Sequence, residues 1–413
     1  MNYPKIKNIF LVLTHRCNLA CRYCFVSQEN LDMPLTVAFD AIDFIANNLT
    51  TEKDSGSVCF FGGEPLLKWD DIIVPTVLYK EKMYPNKKIR FSITSNCVLL
   101  TQDKIDFLKA HNIGLLTSID GAKETQDYNR PFHNGKGSFD IVEQNLKLYR
   151  DTIGLDKATF RSTVYPPTCD KLYENYLYAI EFGYKHMFFC PDSFSTWEPE
   201  QESIVREQVE KIADHYIDYW RTNKKQPISI NPFYKYMNHV KQDLIRQENN
   251  EPSIQRIPKG KCGYGQGSGA AISPTGDIYG CQEMTSNEGE NSIFYIGNIY
   301  DEEISDERRI RLKEIYESTS VQGDIQCENC KAKVLCDGGC VANNYMSTGD
   351  LNHATHGYCF FMRLVYDIDK KIYEALKDIP EFINTFNPKN KKQCSSSSTS
   401  CAKCMFCQAE QNK

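Results

Sequence analysis

Six short β-prone runs occupy the first half of this 413-residue chain, and their spacing narrows the fold more than any other feature. They are Asn8–Leu13, Ser57–Phe61, Lys88–Ile93, Gly114–Ile119, Lys157–Val164 and Lys185–Phe189. Between them lie amphipathic stretches at Val37–Asn48, Ile72–Tyr84, Asp103–His111, Ile141–Tyr149 and Leu172–Phe182. Strands that alternate with helices pair in parallel, because each helix carries the chain back to the end where the last strand began. The expected fold class is α/β, a partial (β/α)6 parallel barrel whose ligands sit at the C-terminal ends of the strands.

The chemically distinctive segments fall at those ends. Directly after the first strand, THRCNLACRYCF places Cys17, Cys21 and Cys24 in a C-x3-C-x2-C array. Four thiolates close a cubic iron–sulfur cluster; three leave one iron open to a small chelating molecule. A zinc loop with His15 as fourth ligand, or cysteines close by chance, are the alternatives. Tyr23 and Phe25 offer aromatic surface to shield a cluster or pack on an adenine. After the second strand comes FFGGEP, where Gly62 and Gly63 permit close backbone approach and Glu64 suits an ammonium group. The third strand ends in Thr94, Ser95 and Asn96, and the fourth in SIDG, whose Ser118 and Asp120 suit ribose hydroxyls. Arg130, a little further on, suits a carboxylate.

Composition excludes several functions. The net charge of −6 gives no basic footprint, so no nucleic acid is expected. No apolar run reaches membrane-span length and Met1–Ile9 is not a signal peptide, so no membrane and a cytoplasmic location are expected. Eighteen cysteines in such a reducing compartment point to metal.

Together, the cysteine array, GGEP, SIDG and Arg130 resemble the radical S-adenosylmethionine (SAM) superfamily. The resemblance implies that the methionine amino and carboxylate groups of SAM chelate the open iron of a 4Fe–4S cluster held by Cys17, Cys21 and Cys24. One electron then cleaves the sulfonium to methionine and a 5′-deoxyadenosyl radical, which abstracts hydrogen from a substrate. Tyr23, Phe25, Gly62, Gly63, Glu64, Ser95, Asn96, Ser118, Asp120 and Arg130 are the expected cofactor contacts.

A second array reads Cys262-x13-Gly276-x4-Cys281, then Cys327-x2-Cys330-x5-Cys336-x3-Cys340, then Cys359. Half a zinc ribbon is the alternative for Cys327 and Cys330 alone. The whole array is similar to the SPASM domain, the auxiliary-cluster module of radical enzymes that modify peptides. By that resemblance Cys327, Cys330, Cys336 and Cys359 hold a distal auxiliary 4Fe–4S cluster. Cys262, Cys281 and Cys340 hold a proximal one without an evident fourth ligand, which makes three clusters in all. The expected organisation is a barrel over 1–200, a helical bridging segment over 201–259, a SPASM domain over 260–373 and a flexible Ser/Cys-rich tail over 374–413. In the bridge, the aromatic run Asn231–Met237 reads as core rather than groove. In the tail, the segment with Cys394, Cys401, Cys404 and Cys407 fits a disordered extension or a substrate mimic, and Cys401, Cys404 and Cys407 fit a labile metal site or the missing ligand of the proximal cluster.

The reading that results is a maturase of a ribosomally made, cysteine-containing precursor peptide, forming a thioether. Sulfatase-type maturation of cysteine or serine to formylglycine and carbon–carbon cross-linking are the rival chemistries. A non-catalytic iron–sulfur carrier is the rival class. A ferredoxin or flavodoxin is the expected electron donor. The first strand starts by about residue 8, so leader recognition is expected at a sheet edge or on a separate protein. No general acid or base is nameable from the sequence.

Overall fold

The computed structural model describes residues 5–156, 158–254, 269–285, 288–302, 304, 306–308, 310 and 327–385. The six expected strands form, as β1 (Asn8–Val12), β2 (Ser55–Phe61), β3 (Lys88–Ser95), β4 (Gly114–Ser118), β5 (Ala158–Val164) and β6 (His186–Pro191). The intervening helices are α1 (Leu35–Asn48), α2 (Val74–Met83), α3 (Gln102–Ala110), α4 (Lys123–Asn129), α5 (Phe139–Ile153) and α6 (Leu172–Phe182). Consecutive strands pair in parallel from β1 through β6.

The sheet is larger than the expected six strands. A seventh parallel strand, β7 (Ser229–Asn231), joins β6, and β8 (Gly269–Ile272) joins β1 in parallel. From β8 an antiparallel extension continues through β9 (Asp277–Tyr279) and β10 (Tyr295–Asn298). The order is β10-β9-β8-β1-β2-β3-β4-β5-β6-β7, so the expected boundary at residue 260 runs through one sheet. These strands are three or four residues long, and β8 is GAAI, too short and too small-sided to show period-two alternation.

Alternation divides each of the first six strands between a helix-facing core and an inner lumen. Ile9, Leu11, Val58, Phe60, Ile93, Leu115 and Phe160 belong to the core and are 3% exposed or less. Their neighbours on the other face, Phe61, Thr94, Leu116, Ser118, Arg161, Phe188 and Cys190, are only half-buried. The lumen is thus mixed and partly polar, a surface built to face a ligand.

Downstream, α7 (Pro199–Asn223) and α8 (Phe233–Glu248) pack against α10 (His356–Leu376), which follows the short α9 (Val341–Thr348). Phe189 of β6 meets Phe233 and Phe361 edge-on at 5.4 and 5.9 Å, joining these helices to the barrel core. Phe233, Tyr236 and Met237 are buried, so the aromatic run is core. No helix among the described residues is long and apolar enough to cross a membrane.

One core residue breaks the pattern. Asp369 of α10 is fully buried, and neither carboxylate oxygen has a hydrogen-bond partner. Burial pushes its pKa well above the ordinary range, which keeps it neutral. A group whose folded pKa is raised contributes stability that declines as pH rises from its unfolded value of about 3.9. Asp369→Ala is therefore expected to stabilise the protein by about 1 kcal/mol. The gain should be larger at pH 8 than at pH 5; melting curves at both pH values check it, and a variant that melts lower at pH 8 overturns it.

Candidate functional site

The loop between β1 and α1 carries Cys17, Cys21 and Cys24, and three neighbours hold it in place. Asp32 closes its base, accepting from Thr14 Oγ1 at 2.5 Å, Lys68 Nζ at 2.6 Å and the Arg16 guanidinium. Desolvation works against the Asp32 charge, but hydrogen bonds from Lys68, Thr14 and Arg16 outweigh it and keep the pKa low. On a second side, Gly63 N donates to Thr14 O at 2.8 Å and Glu64 N to Arg16 O at 2.9 Å. A Cβ on Gly62 would sit 2.4 Å from Thr14 O, and one on Gly63 2.3 Å from Arg16 O. The close approach made possible by the double glycine is therefore to the cysteine loop. On the third side, Ala20 N and Arg22 N donate to Pro131 O and Asn129 O at 2.8 and 3.0 Å, and His133 contacts Cys17 O at 3.0 Å.

The three thiols lie near enough to one another to interact electrostatically. Burial pushes the Cys17 thiol up to about 12, helped by negative charge on Glu64, Cys21 and Cys24. Burial likewise pushes Cys21 up to about 11, although Arg130 pulls the other way. Thiols so placed ionise only when a metal takes the proton's place. Among the described residues, no three His, Cys, Asp or Glu side chains converge as tightly as a single ion requires. A cluster of several irons is wider than one ion and spaces its ligands further apart.

Glu64 is 1% exposed at the end of β2. Its Oε1 accepts from Leu66 N at 3.0 Å and Ser95 Oγ at 2.8 Å, and its Oε2 from Asn96 N at 2.8 Å. Burial raises its pKa to about 7 against those three hydrogen bonds. A carboxylate has about four acceptor sites, so one remains on Oε2. The polar groups of Ser95 and Asn96 turn into the protein: Ser95 Oγ also accepts from Cys97 N, while Asn96 Nδ2 donates to Asn18 Oδ1 at 2.8 Å. Both were expected to touch the cofactor; the geometry makes them supports of Glu64 and of the cysteine loop.

Asp120 also departs from expectation. It is fully buried and accepts from Arg130 Nη2 at 3.1 Å, Thr163 N at 2.9 Å, Asn129 Nδ2 at 3.0 Å and the Tyr23 hydroxyl. Four donors fill its acceptor sites and leave none for ribose hydroxyls. Asp120 instead positions Arg130, whose guanidinium lies 5.3 Å from the Tyr23 ring centre and whose Nη1 reaches Cys21 Sγ at 3.9 Å. Tyr23, with its hydroxyl on Asp120 and its ring edge on Tyr165 at 5.6 Å, props up this assembly rather than offering a bare face to adenine. Arg130 is 8% exposed, and its Nε is buried without a partner. Phe25 lies on the surface at 39% exposure, and Ser118 stands on the lumen face of β4.

Some of the C-terminal cysteines also gather. Burial pushes Cys336 up to about 12, with Cys359 and Cys330 close enough to add to the shift. Cys327 opens the adjacent turn, where Cys330 N donates to Cys327 O at 3.1 Å. Cys340 Sγ lies 3.2 Å from Glu283 Oε2, two residues beyond Cys281. Cys262, Cys394, Cys401, Cys404 and Cys407 lie outside the described residues.

The radical SAM superfamily profile matches residues 11–177, which span the cysteine loop and most of the lumen. Residues 11–177 are a radical SAM domain. Among the relatives of this chain is the radical SAM cyclopropyl synthase TigE of Paramaledivibacter caminithermalis, 24% identical over 91% of this chain and 75% of TigE. A cysteine-type anaerobic sulfatase-maturating enzyme of Clostridium novyi is 24% identical over 79% of this chain and 85% of the relative. A similar fold occurs in the structure of native anSMEcpe with bound AdoMet and Cp18Cys peptide, at TM-score 0.68 and 18% identity over 92% of this chain and 99% of that one.

The chain accordingly carries the domain of radical SAM enzymes, whose cofactors are S-adenosylmethionine and a 4Fe–4S cluster. The residues present fit both groups: three neighbouring thiols, an acceptor site left on buried Glu64, and a buried Arg130 Nε with no partner among the described residues. The sequence reading missed Arg161 and Cys190 of the lumen and Glu283 beside Cys340. Arg161 and Cys190 were unremarkable within their strands, and the only signal for Glu283 was its position two residues after Cys281.

Proposed function

We propose that this radical SAM enzyme matures a cysteine-containing peptide, joining a cysteine sulfur to a carbon of an acceptor residue. The observation that supports it is that Cys340 meets Glu283 at 3.2 Å, and Glu283 in turn acts on a cysteine of the barrel. Cys190, at the lumen end of β6, lies within electrostatic reach of Glu283. Cys17, Cys21 and Cys24 hold the radical-generating cluster, Glu64 takes the ammonium of SAM and Arg130 its carboxylate. Gly62, Gly63 and Ser118 line the approach. When bound, the cluster and cofactor supply one-electron cleavage of a carbon–sulfur bond and, with it, hydrogen abstraction. Cys327, Cys330, Cys336 and Cys359 hold one auxiliary cluster; Cys262, Cys281 and Cys340 hold another. A ferredoxin or flavodoxin supplies electrons, and a separate protein or a sheet edge recognises the leader. Relatives named as sulfatase-maturating enzymes support a second reading, oxidation of cysteine or serine to formylglycine.

The test is anaerobic reconstitution with dithionite, SAM and a cysteine-rich peptide encoded nearby, followed by mass spectrometry. Thioether formation removes two hydrogens and one alkylatable thiol while the sulfur stays in the peptide. Loss of the cysteine sulfur indicates formylglycine instead, and loss of two hydrogens with every thiol alkylatable indicates a carbon–carbon link. Cys281→Ala should retain 5′-deoxyadenosine formation but stop cross-linking; normal cross-linking would remove the proximal cluster from the reaction.

A further inference from the structure

Arg161 is a cation in the lumen with no carboxylate partner among the described residues. It sits on β5 in register with Ser118 of β4 on one side and Phe188 of β6 on the other. Its guanidinium stacks 4.6 Å from the Phe188 ring centre, and Nη1 donates to Ser162 O at 2.6 Å. Nη2 lies 3.0 Å from Cys190 Sγ. No ion pair among the described residues involves Arg161, whereas the other lumen-end guanidinium, Arg130, is matched by Asp120 at 3.1 Å. A ring face, a carbonyl and a thiol leave most of the five guanidinium N–H donors without a strong acceptor. The planar fork stacked on an aromatic is the arrangement that binds a carboxylate through two parallel hydrogen bonds.

Direction separates this cation from the amino-acid end of SAM. Glu64 and Arg130 lie against the cysteine loop, with Arg130 reaching Cys21. Arg161 instead contacts Cys190, which is in electrostatic reach of the Glu283 that meets Cys340. Arg161 is thus linked, through Cys190 and Glu283, to the C-terminal cysteines rather than to the cysteine loop.

We propose that Arg161 is a specificity residue that binds the side-chain carboxylate of an aspartate or glutamate near the modified position of the substrate. This rests on the peptide-maturase reading. Substrate entry would exchange the weak Cys190 contact for a carboxylate, leaving the Cys190 thiol inside the lumen beside the peptide.

The test uses reconstituted holoenzyme and two fluorescent, end-capped peptides with one cysteine, one carrying a single aspartate and the other asparagine in its place. Anaerobic anisotropy should show the aspartate peptide binding at least about tenfold tighter. Arg161→Gln should erase that difference by weakening the aspartate peptide alone, and Arg161→Lys should restore part of it. Equal binding of both peptides to the wild-type chain overturns the inference. So does an Arg161→Gln variant that loses SAM affinity and keeps the aspartate preference, because the carboxylate is then the cofactor's. If neither peptide binds but N-acetylaspartate amide does so through Arg161, the carboxylate site stands and the peptide reading falls. If that amide also fails to bind, the inference falls.

Discussion

Cys17→Ala yields no 5′-deoxyadenosine from S-adenosylmethionine under reducing, anaerobic conditions, a loss of at least about a thousandfold. On the proposed assignment the three thiolates serve one cluster, so removing any one disables the unit, and single and triple substitutions should cost about the same. The fold is expected to survive. Cys17 Sγ is reached only by weak donors, Leu19 N at 3.4 Å and Asn96 Nδ2 at 3.8 Å. The loop is held by Asp32, by the Gly62–Gly63 approach and by the strand-like contacts to 129–131. Anaerobic turnover by liquid chromatography, with iron content and a melting curve on the same sample, checks both halves. Residual turnover near wild-type level would mean that these cysteines do not hold the radical-generating cluster.

Asp120→Ala carries the second large effect, and it separates two roles for a residue next to the cofactor site. If Asp120 holds Arg130, its removal strands a buried guanidinium and opens four hydrogen bonds at once. Breaking a buried pair from one side costs about 3–5 kcal/mol. The double variant Asp120→Ala with Arg130→Met should recover part of that loss, since it removes the uncompensated charge as well. Equilibrium denaturation of the three chains gives the coupling. A stable Asp120→Ala protein with weakened SAM binding would return Asp120 to the ribose-contacting role.

These two substitutions sit on either side of what could be read without a structure. The cysteine loop was legible because its meaning is local: three thiols within eight residues, directly after an apolar strand. The strands β1–β6 were legible for the same reason, since alternation and length within a single run define each of them. Asp120 was not. Its aspartate–glycine setting at a strand end suits a ribose contact, and only the positions of Tyr23, 97 residues away, and Thr163, 43 residues away, show its oxygens to be taken. Ser95 and Asn96 follow the same logic, facing Glu64 across 31 and 32 residues.

By itself, then, the sequence determined the run of six parallel strands and the three thiols set directly after the first of them, because each is written in residues adjacent along the chain. The tertiary structure decided how each polar side chain spends its hydrogen bonds. It closed Asp120, Ser95 and Asn96 into the protein and left Arg161 and Cys190 facing the lumen. It also carried the C-terminal cysteine segment onto the barrel through β8. The physical reason is that a buried donor or acceptor is satisfied by whatever the fold brings within about 3 Å, and that neighbour is set by packing between distant segments.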